Sequence, residues 1–98
     1  MAHYVVETYQ SRVHPEVFEE AAMHARRAAE ELSGEGLGVR HLRSVFVADD
    51  ETCFHFFEAP SIEAVRHACE RGGITTDRIA LSLVSEPAGQ SKVPVDDS

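Results

Sequence analysis

The stretch "VRHLRSVFVADDETCFHFF" spans Val39–Phe57. Both of its halves are rich in β-branched and aromatic residues, and Asp49-Asp50 between them is a turn signal. It reads as a β-hairpin. With Asp49-Asp50 as a two-residue turn, cross-strand partners have residue numbers summing to about 99. Ser44 then faces His55 and Phe46 faces Cys53 on one side of the sheet. On the other side His41 faces Glu58, Arg43 faces Phe56 and Val45 faces Phe54.

Working outward, "APS" (Ala59–Ser61) closes the second strand of the hairpin and starts a helix. Ser61 is its N-cap, Glu63 favours its N-terminal dipole, and Gly72-Gly73 ends it. Its apolar stripe is Ile62, Val65, Ala68 and Cys69, at helical spacing. Upstream of the hairpin, His14-Pro15 opens another helix, striped by Phe18, Ala21, Ala22, Ala25, Ala29 and Leu32 and stopped by Gly34 and Gly36. "HYVVETY" (His3–Tyr9) and "DRIALSLV" (Asp77–Val84) are the outer strands, the second with Ile79, Leu81 and Leu83 on one face. The order is β-α-β-β-α-β. This is the split βαβ, or ferredoxin-like, α+β fold: a four-stranded antiparallel sheet with two helices on one face. Residues 1–86 form the domain. From Pro87 the text loses periodicity, and 87–98 reads as a disordered tail.

The 98 residues suffice for one domain. Seventeen Asp and Glu against nine Lys and Arg leave a formal charge of −8. That disfavours nucleic acid and anionic membranes as partners, since both select basic surface. Tyr4–Val6 is too short an apolar run for a secretion signal, and no stretch reaches transmembrane length, so a cytoplasmic location is expected. Cys53 and Cys69 lack metal-ligand spacing and are expected as buried free thiols.

In a ferredoxin-like sheet the first strand lies beside the third, antiparallel to it, which brings His3 to Glu58. His3, Glu58 and His41 then form a row across three strands on the open face, with Glu7 as a helper further along. Two imidazoles and a carboxylate suit a borderline divalent ion such as nickel, zinc or copper. Phe54 and Phe56 on that face call for a cover, and a homodimer supplies one. His55 faces the helices beside Ser44 and Tyr4, as a hydrogen-bonded core histidine. Cys53 and His55 share a face but lie about 7 Å apart along the strand, too far for a nucleophile–base dyad. The helical pairs Glu20/His24 and Glu63/His67 read as solvated ion pairs. There is no Gly-rich phosphate loop, G-x-S-x-G, H-E-x-x-H or C-x-x-C, so no catalytic residue is assigned.

Over residues 3–85, "HYVVET", the hairpin running on into "FEAPSIEAVRHACERGG", and "DRIALSLV" resemble a bacterial family of small ferredoxin-like, nickel-binding proteins. The resemblance implies the same fold, a homodimer and nickel binding, and no known reaction. Glu7 and Glu58 match the family pattern. The place of His41 is often aromatic there, and that of His55 often a cysteine. A second reading by fold analogy is a dimeric α/β-barrel enzyme of monooxygenase, isomerase or cyclase type, acting on a small apolar molecule. In that reading Phe54, Phe56 and Val45 form the wall, and Glu7, Glu58, His41 and Arg43 supply acid, base and anion contacts.

Overall fold

The computed structural model describes residues 1–11 and 14–85. The tail read from Pro87 onward lies outside the described residues. The elements run β1 (Ala2–Tyr9), α1 (Pro15–Gly34), β2 (Arg40–Val47), β3 (Thr52–Ala59), α2 (Ile62–Gly72) and β4 (Arg78–Ser82). The sheet order is β2-β3-β1-β4, antiparallel throughout. This is the expected ferredoxin-like α+β arrangement.

Both helices cover the same face. Ala25, Ala29 and Leu32 of α1 and Ala64, Val65, Ala68 and Cys69 of α2 join Val6, Phe57 and Ala59 of the sheet in one core. Most of the helical contribution is alanine, so the helices lie close to the sheet. At the end of α2, a Cβ on Gly72 would sit 3.1 Å from the His24 carbonyl oxygen of α1, so glycine permits that close approach. The α1 stripe is buried only from Ala25 onward; Phe18, in its first turns, meets the Phe46 ring at 6.2 Å.

Local signals act as the sequence implies. Ser61 Oγ accepts from the Ala64 amide at 3.2 Å, and Gly73 ends α2 with φ of 67°. The hairpin turn differs from the expected two-residue form. Ala48–Asp50 make a single 3₁₀ turn and Glu51 is left-handed at φ 49°, so four residues join Val47 to Thr52. Both loops are centred between Asp49 and Asp50, which is why the expected register from Arg43 to Val47 still holds. β4 ends at Ser82; its Ile79 packs against the core, while Leu81 and Leu83 are 64% and 95% exposed.

Candidate functional site

The decisive departure from regular pairing is in β2. Arg40 pairs with Glu58 and His41 with Phe57, but the next pair is Arg43 with Phe56. Leu42 is an extra residue, a β-bulge that shifts the alternation of faces. The cause lies at the two ends of the strand. Val39 is 1% exposed in the core at one end, and Phe46 packs on Phe18 at the other. Their separation is odd, so period-two alternation cannot turn both toward the helices without one inserted residue. That odd spacing was the signal available in the sequence.

The bulge exchanges a histidine for an arginine. His41 turns to the helix side, and Arg40 takes its place opposite Glu58 on the open face. The expected row of His3, Glu58 and His41 is therefore corrected to His3, Glu58 and Arg40. His3 Nε2 lies 3.2 Å from Glu58 Oε2, and Arg40 Nη1 donates to Glu58 Oε1 at 3.2 Å. His3 is an ordered strand residue, paired with Glu58 on one side and Ser82 on the other. Glu7 accepts from Arg78 at 3.4 Å toward the far end of the face. Four residues of strand put it about 13 Å from His3, too far to share an ion with it. Among the described residues no three His, Cys, Asp or Glu side chains lie close enough to hold a metal together. Neither helical pair, Glu20/His24 or Glu63/His67, forms an ion pair.

At the same end, the open face carries a cavity of about 70 Å³ whose walls include His3, Arg43, Phe56 and Ser82. His3 Nδ1 and Ser82 Oγ are both buried and lack a hydrogen-bond partner among the described residues. The Arg43 guanidinium sits over Phe56, its carbon 4.7 Å from the ring centroid. Two arginines against one carboxylate make this corner positive, in a chain of net charge −8.

On the helix side the bulge completes a polar chain that the sequence reading missed. His41 Nε2 is 2.8 Å from Ser44 Oγ, which is 2.6 Å from His55 Nδ1, and His55 Nε2 is 3.4 Å from Cys53 Sγ. Cys53 and His55 do meet, against expectation: side chains two apart on a strand converge where their backbone atoms do not. Ser44 has one hydroxyl proton for two links, so it donates to one imidazole and accepts from the other. The two tautomers are thereby coupled. His55 is 1% exposed, as a core histidine should be. Burial drives both imidazoles down to about 4; Arg26 adds to this for His41, and His41 adds to it for His55. Burial pushes the Cys53 thiol up to about 11. A fully buried, protonated thiol is no nucleophile, so the chain anchors structure. Cys69 is also a free, buried thiol.

Residues 4–81 match the family described as nickel responsive protein SCO4226-like. The chain belongs to this family. The crystal structure of SCO4226 from Streptomyces coelicolor A3(2) superposes with a TM-score of 0.70 at 23% identity, covering 87% of this chain and 100% of that one. At that identity the likeness supports the fold. No curated protein matches the chain significantly. Membership of a nickel-responsive family gives the chain a metal-related role, and none of its described helices is long and apolar enough to cross a membrane.

Proposed function

We propose that the protein is a small nickel-binding protein that captures the ion on the open face of its sheet and works as a homodimer joined through that face. The contact between His3 and Glu58 carries this reading. It places an imidazole beside a carboxylate at 3.2 Å, in a family described as nickel responsive. Imidazole and carboxylate are ligands that suit nickel. Glu7 and His41 are not part of the centre, one by distance and the other because it lies on the opposite face. The described residues of one protomer offer too few donors to close a coordination shell, so the ion would be exchangeable, as buffering or sensing requires. The apolar side chains Val45, Phe54 and Phe56 on the same face support the dimer: Val45 is 39% exposed in one protomer, and burying such residues is favourable. The open-face cavity, about 70 Å³, is well below the roughly 300 Å³ of a small-molecule site, so that face of one protomer lends the enzyme reading no support.

Isothermal calorimetry with nickel chloride on the untagged protein tests the metal reading. Wild type should bind, His3→Ala should not, and His41→Ala should match wild type. Equal binding by wild type and His3→Ala would remove the site. Because protons compete with nickel for imidazole, affinity should fall toward acid pH. Light scattering during size exclusion tests the dimer.

A further inference from the structure

A groove between α1 and β2 lies on the helix side of the sheet, away from His3, and owes nothing to the nickel reading. We propose that it binds a small organic carboxylate, gripped by Arg26, and that binding draws a proton onto His41. No metal takes part.

Three observations point this way. First, the groove has room. Its volume is about 510 Å³, within the roughly 300–1,000 Å³ of small-molecule sites. The core residues Ala29 and Val39 give it an apolar floor, and Arg26, Glu30, Arg40 and His41 stand around them. Second, Arg26 is uncommitted. It makes no hydrogen bond or ion pair with a described residue, although Glu30 stands one turn further along α1. Its charge is felt at His41 instead: burial, and after it the Arg26 charge, hold that imidazole down to about 4. A guanidinium beside a neutral imidazole lacks a counter-charge, and its forked N–H edge matches a carboxylate in bidentate fashion. Arg40 is not equivalent, because its Nη1 is already engaged by Glu58 at 3.2 Å. Third, His41 is where the buried polar chain meets the groove. Its half-buried ring borders the groove, and its Nε2 leads through Ser44 Oγ to His55.

The coupling between ligand and imidazole is one of charge. His41 Nδ1 is buried, so the carboxylate does not reach it; it is also without a partner among the described residues. Around the ring stand Arg26 and Glu30 from α1, Arg40 and Ser44 from β2, and His55 from β3. A carboxylate on Arg26 cancels the repulsion that disfavours the imidazolium, and solvent supplies the proton. No covalent bond of the ligand forms or breaks. His41 then holds its proton more tightly with ligand bound than without, so affinity rises as pH falls from neutrality toward about 4.

The test titrates sodium benzoate, benzamide and inorganic phosphate into ¹⁵N-labelled protein and follows amide chemical shifts. Benzoate should bind saturably, with shifts centred on Arg26–Glu30 and Val39–His41. Benzamide has the same shape without the charge and should bind at least about tenfold more weakly, the scale of a charge-assisted contact. Phosphate has the charge but no hydrocarbon for the apolar floor and should also be weaker. Arg26→Gln should weaken benzoate by about tenfold or more, and Arg26→Lys, which keeps the charge but loses the fork, should fall between. Arg26 is exposed, and circular dichroism confirms that the variants fold. From pH 7.5 to 5.0, where benzoate stays mostly ionised, wild-type affinity should rise at least about twofold, and that of His41→Gln should stay level. No saturable binding, shifts centred elsewhere, benzamide equal to benzoate, or undiminished affinity in Arg26→Gln would overturn the site. Phosphate binding as tightly as benzoate would overturn the assignment to an organic carboxylate. A level pH profile in wild type, or the same rise in His41→Gln, would overturn the proton coupling.

Discussion

Acid should destabilise this protein well before its carboxylates titrate, because one imidazole is buried and another half-buried, both in neutral form. An unfolded chain presents histidine with a pKa near 6.5, whereas His41 and His55 fall to about 4 in the folded protein. Between these values the unfolded chain binds more protons than the folded one. Stability is therefore fully present above about pH 6.5, declines as pH falls from there, and levels off near 4. At pH 5.0 the linkage amounts to about 2 kcal/mol for each histidine, about 4 kcal/mol if both act in full. His41 is only half-buried in its groove, so about 2–4 kcal/mol is expected for the pair. That is a large part of the 5–15 kcal/mol typical of a domain. The other resolved carboxyl shift does not intrude. Arg71 lowers Glu35, whose contribution is lost only below its ordinary 4.5. Urea denaturation at pH 7.5 and 5.0 reads the difference directly. His41→Phe removes one of the two titrations, so its loss between the two pH values should be about half that of wild type. Equal stability of wild type at both pH values, or an undiminished difference in His41→Phe, would refute the argument.

Other predictions follow from the same packing. Ser44→Ala removes the hydroxyl that both imidazoles share and should cost about 1–3 kcal/mol in urea unfolding, the scale of leaving buried polar groups unpaired. Native Cys53 and Cys69 should react with a thiol reagent such as Ellman's far more slowly than in urea, since both are buried with thiols raised by burial; fast native labelling would contradict that burial. Ser61→Ala deletes the α2 N-cap and should lower stability by about 1 kcal/mol, or about 4–8 °C in a thermal melt.

The order of elements was legible because each left a local mark: alternation in the strands, the Ser61 cap, Gly73 after α2, and two acidic residues at the hairpin tip. Contact between His3 and Glu58 was legible too. It follows from the fold's strand order and from the matching ends of β1 and β3, and needs no knowledge of β2. His41 was misplaced because the reading extended one register along the whole hairpin. From Val47 back to Arg43 that register is correct, since the turn and the apolar pairs define it. At Leu42 it fails, and every residue before the bulge changes face. The link between Cys53 and His55 was rejected on backbone spacing, although the two side chains lean together over the same face.

The chain alone thus determined which segments become strand or helix and how they connect, because propensity, capping and apolar period act over a few neighbouring residues. What only the tertiary structure decided is which side of the sheet Arg40 and His41 occupy. That depends on Val39 and Phe46 both needing the space under α1, a competition between distant residues for one core. Burying both requires the Leu42 bulge, and the bulge sets Arg40, rather than a second imidazole, against Glu58.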